Sequence, residues 1–216
     1  TDGTNAVTAA SAFTLAFGYN WSNTSQQAKI VSSDLQASDY FGKAIAIDGD
    51  TAIATAPNEN GHGAAYIFTR SGTTWSQQQK ITSSDISTND EFGNNVAING
   101  DTVVVGAVGD DTQRGAAYVF TRSGTTWSQQ QKLTAASRGD YDRFGEDVDI
   151  DGDTIVVGAK YDDVSGLSGA GASYVFTRSG TTWSQQQILE SSDLAASDYF
   201  GSSVAIDGDN IVVGST

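Results

Sequence analysis

The sequence predicts an all-β fold, a four-bladed β-propeller of four-stranded antiparallel blades, and three observations predict it. The twelve residues FTRSGTTWSQQQ occur unchanged from Phe68, Phe120 and Phe176. Phe-Gly recurs at Phe41, Phe92, Phe144 and Phe200, and Gly-Asp at Gly49, Gly100, Gly152 and Gly208, both at steps of 51, 52 and 56 residues. No stretch shows the helical 3.6-residue period. A period of about 50 residues with four strands per unit suits a propeller blade, whereas a parallel β-helix needs much shorter coils.

Within one repeat the strands, a to d, follow from local chemistry. In the copy from Phe92, FGNNVAI alternates small or polar with apolar residues and is strand a. Asn99-Gly100 then makes a hairpin, because both central residues of a type I′ turn need positive φ. The other copies place Asp48-Gly49, Asp151-Gly152 and Asp207-Gly208 there. Strand b has Val103, Val104 and Val105 in succession, and Ile155, Val156 and Val157 in the next copy, the pattern of a strand buried on both faces. Strand c is GAAYVF, a tight turn follows at Arg122-Ser123-Gly124-Thr125, and strand d is TWSQQQKL. Strand d mixes Gln with Trp127 and Leu133, so it reads as the outer strand with its Ser and Gln residues exposed. The longer third step falls in YDDVSGLSGAGAS, which reads as a loop.

The repeats run over about 41–91, 92–143 and 144–199, and a fourth blade is split between 1–40 and 200–216, completed by strands from both chain ends within one domain. The N-terminal copy has diverged. DGTNAVTAA at 2–10 resembles DGDTAIATA at 48–56 and reads as a degenerate strand b, followed by strand c at AFTLAF and strand d from Trp21 to Ile30. The C-terminal copy gives strand a at FGSSVAI and strand b at NIVVGS. This makes seventeen strands, whereas a four-bladed ring needs sixteen. A surplus apolar strand is a template for addition to another chain. Val7, Phe13, Leu15, Phe17, Ile211 and Val213 are therefore the candidate assembly residues.

Composition removes several classes. With no cysteine there are no disulfides, thiolate zinc sites or cysteine nucleophiles. A formal charge of -15 with 11 scattered basic residues lacks the footprint of a nucleic-acid binder and is repelled by anionic membranes. No run of about 18 apolar residues offers a membrane span. A chain without methionine, starting at Thr1, points to a processed and exported form. Asn20-Trp21-Ser22 and Asn23-Thr24-Ser25 fit the N-glycosylation acceptor pattern, which makes Asn20 and Asn23 candidate glycan sites.

Phe-Gly at the start of strand a, Gly-Asp at the hairpin, and Gly106-Ala107 and Gly158-Ala159 after strand b resemble the FG-GAP repeat of integrin α-subunit propellers and of bacterial surface proteins. The resemblance covers nearly the whole chain and implies a propeller, but a fold carries no site with it. Integrin-type repeats often hold calcium in an Asp-x-Asp-x-Asp-Gly loop. Here the turn is only Asp48-Gly49-Asp50 or its equivalents, too few carboxylates for six to eight oxygen ligands, so no metal or cofactor is expected. Such propellers commonly have seven blades, and this chain has four repeats.

Few residues suggest chemistry. His62 is the only histidine and lies between two glycines, without the partner and orienting group that a catalytic base needs. The acidic pairs Asp34/Asp39, Asp85/Asp90, Asp140/Asp142 and Asp193/Asp198 recur before each Phe-Gly and are expected to bond loop amides, with loop calcium as the lesser reading. Arg138-Gly139-Asp140 spells a tripeptide that integrins recognise and is taken as coincidence. Trp75, Trp127 and Trp183 either pack between blades with bonded indole N–H groups or offer ring faces to sugars. Packing is the preferred reading.

The expectation is thus a non-enzymatic extracellular protein, structural or adhesive, that assembles into a filament by exchanging terminal strands with its own copies. A lectin-like propeller and a closed eight-bladed dimer are the alternatives.

Overall fold

A computed structural model describes the backbone of residues 13–15, and residues 28–34, 36–137 and 139–216 in full. The chain is an all-β, four-bladed propeller of antiparallel blades, three of them complete and the fourth present as two halves. The first complete blade is β3 (Ile45–Asp48), β4 (Thr51–Ala56), β5 (Ala64–Ser71) and β6 (Thr74–Ile81). The second is β7 (Phe92–Asn99), β8 (Thr102–Ala107), β9 (Ala116–Ser123) and β10 (Thr126–Leu133). The third is β11 (Val148–Asp151), β12 (Thr154–Ala159), β13 (Ala172–Ser179) and β14 (Thr182–Leu189). Each is a four-stranded sheet in the order a-b-c-d.

Local chemistry sets the hairpins where the sequence places them. Asp48 pairs with Thr51, Asn99 with Thr102, Asp151 with Thr154 and Asp207 with Asn210, each pair closing a two-residue turn. Gly100, at φ 57°, takes the left-handed conformation that such a turn requires. Strands β4 and β8 are buried at every position, as the unbroken apolar runs of strand b predict.

Within each complete blade, the Phe-Gly phenylalanine packs on a strand c aromatic. Phe41, Phe92 and Phe144 meet Tyr66, Tyr118 and Tyr174 edge to face at 5.5, 5.6 and 5.4 Å. The glycine that opens strand c permits the close crossing of one blade to the next. Gly115 forms a parallel bridge with Phe144, so close that a Cβ on Gly115 would lie 2.1 Å from the Phe144 carbonyl oxygen.

The ends differ from the expectation. β1 (Phe13–Leu15) and β2 (Ala28–Ile30) form one two-stranded sheet, and β15 (Ser203–Asp207) and β16 (Asn210–Gly214) form another. β2 lies against β6 as β6 lies against β10 and β10 against β14, so β1–β2 is the c–d half of a blade preceding the first. The backbone N–H of Ser33 donates to Gln77 Oε1 at 3.0 Å, repeating the Ser84–Gln129 and Ala136–Gln185 bonds at 2.9 Å. β15–β16 follows the third blade as an a–b half, with β15 against β11. Completion of one terminal blade by both chain ends is therefore not made among the described residues, since the halves stay in separate sheets. The seventeenth strand, at 2–10, lies outside the described residues, as do Val7, Phe17, Asn20, Asn23 and Arg138.

The consequence is visible in exposure. Ile45 and Ile47 of β3 are 54% and 50% exposed, whereas Val96, Val148 and Ile150 at matching positions of later blades are buried. At the other end Val212 is 68% exposed, whereas its counterparts Val104 and Val156 are fully buried.

Candidate functional site

The seams between blades absorb the repeated residues. In the first two copies of TWSQQQ each glutamine bonds a residue beyond its own blade, whereas Gln186 and Gln187 of the third bond carbonyls of their own strand. Gln79 Nε2 donates to the Trp127 carbonyl and Gln79 Oε1 accepts from the Trp127 N–H, both at 2.8 Å. Gln131 does the same to Trp183 at 2.8 and 2.8 Å. The indole Nε1 of Trp127 donates to Gln78 Oε1 at 3.0 Å, and that of Trp183 to Gln130 Oε1 at 2.9 Å. In these two copies the glutamines expected to form an exposed face of strand d instead stitch one blade to the next, while Gln186 and Gln187 are exposed as expected. A primary amide can do this because it presents donor and acceptor side by side, as a peptide does.

Trp127 and Trp183 are 2% exposed, with the Arg122 and Arg178 guanidiniums 5.2 and 5.0 Å from their rings, so neither offers an open face to a sugar. Trp75, half-buried, carries Arg70 at 5.8 Å. The same arginines occupy the hairpin acids. Arg70, Arg122 and Arg178 each donate Nε to Asp50, Asp101 and Asp153 at 2.7 Å. Among the described residues no group of three or more His, Asp or Glu side chains is placed to hold a metal ion. Excess chelator is expected to leave the thermal midpoint within about 2 °C of its value with millimolar calcium, because a cation would have to displace these arginines. A fall beyond that, followed by calorimetry, contradicts it.

The acidic pairs divide into two jobs. Asp39, Asp90, Asp142 and Asp198 each accept the N–H three residues earlier, from Gln36, Ser87, Gly139 and Ala195 at 2.7, 2.6, 2.5 and 2.7 Å. These caps brace the crossing loops, whose Asn89, Glu91, Tyr141 and Arg143 hold positive φ. Asp34 and Asp85 instead hold half-buried lysines. Lys80 Nζ lies 2.8 Å from Asp34 and 2.6 Å from Glu59. Lys132 Nζ lies 2.6 Å from Asp85 and 2.7 Å from Asp110, and the Tyr118 hydroxyl donates to the same two carboxylates. Burial opposes the Lys132 charge, but the two carboxylates outweigh it and hold the ammonium above its usual range.

The third copy departs from this plan. Ser137 stands where Asp85 stands in the second copy, and Ile188 where Lys132 stands. Asp140 is therefore not the partner of Asp142; it accepts from Arg114 Nε at 2.7 Å. Asp162, the counterpart of Asp110, keeps the Tyr174 hydroxyl as a donor but has Ile188 in place of a lysine. Burial pushes its carboxyl up to about 6, with Asp142, Asp163 and Glu190 adding to the rise against the Tyr174 bond. His62 turns Nδ1 to within 3.2 Å of the Gly63 carbonyl oxygen.

A last recurrent contact links the inner strands. Asp48 Oδ2 accepts from Gly100 N at 2.6 Å, Asn99 Oδ1 from Gly152 N at 3.2 Å, and Asp151 Oδ2 from Gly208 N at 2.7 Å. At the third seam Asp147 and Asp149 add bonds from Val204 N and Ile206 N at 2.7 and 2.8 Å. The next acceptor in this series is Asp207, and the first glycine of the series is Gly49, at opposite ends of the array. Sequence reading passed over these contacts, although their residues sit in the very turns it used to place the hairpins.

These features define a repeat propeller whose polar residues serve mainly to join blade to blade. The FG-GAP repeat model matches residues 24–68, 75–120, 127–176 and 183–216, and the chain belongs to the FG-GAP repeat family. Each matched unit starts at or near strand d of one blade and ends in the next, so the sequence repeat straddles the seam. No curated protein matches the chain.

Proposed function

We propose that this chain is an exported structural protein, without catalytic activity, that polymerises head to tail. The C-terminal a–b half of one copy completes the N-terminal c–d half of the next. The observation that carries this reading is that, among the described residues, the two half-blades stay in separate sheets while Ile45, Ile47 and Val212 are exposed at the two ends of the array. One end presents Ile45, Ile47 and the Gly49 amide, and the other presents Val212 and the Asp207 carboxylate, the same parts that meet at every internal seam.

Internal blades also supply the register. Val104 pairs with Val119, Val105 with Tyr118 and Gly106 with Ala117. Transferred to the ends, with β1–β2 aligned through Ile30 and Lys29, Val212 falls opposite Leu15, Val213 opposite Thr14 and Gly214 opposite Phe13. Ile211, half-buried in β16, extends the same contact. Each of Ile45, Ile47 and Val212 that becomes covered contributes roughly 1.5 to 3 kcal/mol, beside the main-chain bonds of the added strand. The two surfaces differ, so the contact is heterologous and makes a fibre unless its rotation closes a ring.

Because the chain has no cysteine, an engineered thiol pair reports this contact alone. Copies carrying only Leu15→Cys, mixed with copies carrying only Val212→Cys and oxidised, are expected to give a disulfide-linked pair, and the double variant a ladder on a non-reducing gel. A double variant that stops at a dimer makes the assembly an eight-bladed ring. A link formed only within single chains, or no link in either arm, overturns the proposal.

A further inference from the structure

The longest insertion in the repeat, in the b–c loop of the third blade, builds one wall of a groove of about 490 Å³. That volume lies within the span of roughly 300 to 1,000 Å³ typical of small-ligand sites. The groove runs between the loops that cross from the second blade to the third and from the third to the fourth, with Tyr141, Tyr161 and Tyr199 along it. Tyr161 and Tyr199 pack edge to face at 5.3 Å, and Tyr161 is braced by Lys160 and Arg143 at 5.2 and 5.8 Å. Tyr141 is 59% exposed.

The repeat supplies an internal control. The equivalent groove beside the first blade is smaller, about 290 Å³, and has Ser38, Asn58, Asn89 and Glu91 at the positions of Tyr141, Tyr161, Ser197 and Tyr199. The fold therefore does not require aromatic side chains at these places. Loop insertions in repeat proteins map to one face, often the binding face, so the tyrosines and the insertion together mark a site.

We infer that this groove binds a neutral saccharide, with the sugar's apolar face stacked on Tyr141 and its hydroxyls bonded by the polar groups around it. Tyrosine suits this task, having an apolar ring and a polar tip. Asp163 accepts the Gly169 N–H through Oδ1 at 2.9 Å and presents its other oxygen as an acceptor, and Ser168 and Ser197 add hydroxyls. Charge selects against anionic sugars. Arg143 faces Glu91 and Glu146 at 3.7 and 3.5 Å, while Asp140 and Asp163 line the groove in a chain of charge -15.

The test applies the full chain to an array of neutral, sialylated and sulfated glycans, then titrates the best neutral glycan by saturation-transfer NMR. Neutral glycans should bind and anionic ones should not. Tyr141→Ala should weaken binding at least about tenfold, Tyr141→Phe by no more than about threefold, and Asn58→Ala in the control groove by no more than about threefold. Tyr141 has φ 72°, so Tyr141→Gly relieves the backbone and serves as a second variant whose folding is secure. Absence of neutral binders, preference for anionic glycans, or binding indifferent to loss of the Tyr141 ring overturns the inference.

Discussion

Gly115→Ala is expected to lower the thermal midpoint by roughly 10 °C. Two costs combine. The residue has φ 81°, where a side chain costs about 1 to 2 kcal/mol. The new Cβ would also lie 2.1 Å from the Phe144 carbonyl oxygen and 2.6 Å from its nitrogen, both of them backbone atoms. Relief requires the crossing strand to move, which breaks the parallel bridge and displaces Phe144 from its contact with Tyr174. Forced shifts of this kind cost about 1 to 3 kcal/mol more. Gly124→Ala isolates the first cost, since Gly124 has φ 62° with nothing within 4 Å of a Cβ. Calorimetry at one protein concentration that finds the two variants within about 3 °C of each other would refute the argument that close approach fixes this glycine.

That contrast shows which features of the fold the sequence exposes. Local signals were read correctly: Asp-Gly and Asn-Gly at the hairpins, unbroken valines in the buried strand b, and indole N–H groups that find partners between blades. Each depends on a residue and its immediate neighbours. The glutamines of strand d are different, because a polar side chain on an outer strand looks the same whether it faces water or a tryptophan backbone 48 residues away. Proximity in sequence pairs Asp140 with Asp142, whereas Ser137 holds the place of Asp85 in that copy and Asp140 bonds Arg114.

The candidate site was harder still. Trp127 and Trp183 drew attention as repeated aromatics, yet repetition marks what every seam needs, and both are covered by arginine. Tyr141, Tyr161 and Tyr199 line one groove because three loops converge there, and no spacing in the chain announces that convergence. The useful signal was the departure from the repeat, not the repeat. Insertion, lost lysine and exposed tyrosine all fall in or beside the third copy.

The lost lysine gives the second large effect, a stability that rises as pH falls. Asp162 has a folded carboxyl value of about 6 against an ordinary 3.8, so between these values the folded state holds a proton that the unfolded state releases. Unfolding is then accompanied by proton release, and stability falls as pH rises through this window. Above about pH 6 the full penalty of a buried carboxylate applies, of the order of 2 kcal/mol. Asp162→Asn keeps an acceptor for the Tyr174 hydroxyl and removes the charge. The variant should melt about 5 °C above the parent at pH 7.5 and close to it at pH 4. Asp90, which burial also raises, is common to both proteins and cancels in the difference, while the repulsion between Asp142 and Asp162 is removed in the variant and is part of the effect. Ile188→Lys tests the same point from the opposite side. It returns an ammonium to the place where Lys132 Nζ lies 2.7 Å from Asp110, so it should stabilise at pH 7.5 and lose that gain as Asp162 takes up its proton. An Asp162→Asn midpoint below the parent at pH 7.5, or an offset that does not change between pH 4 and 7.5, would show that Asp162 is solvated and that the third blade lost its lysine without consequence.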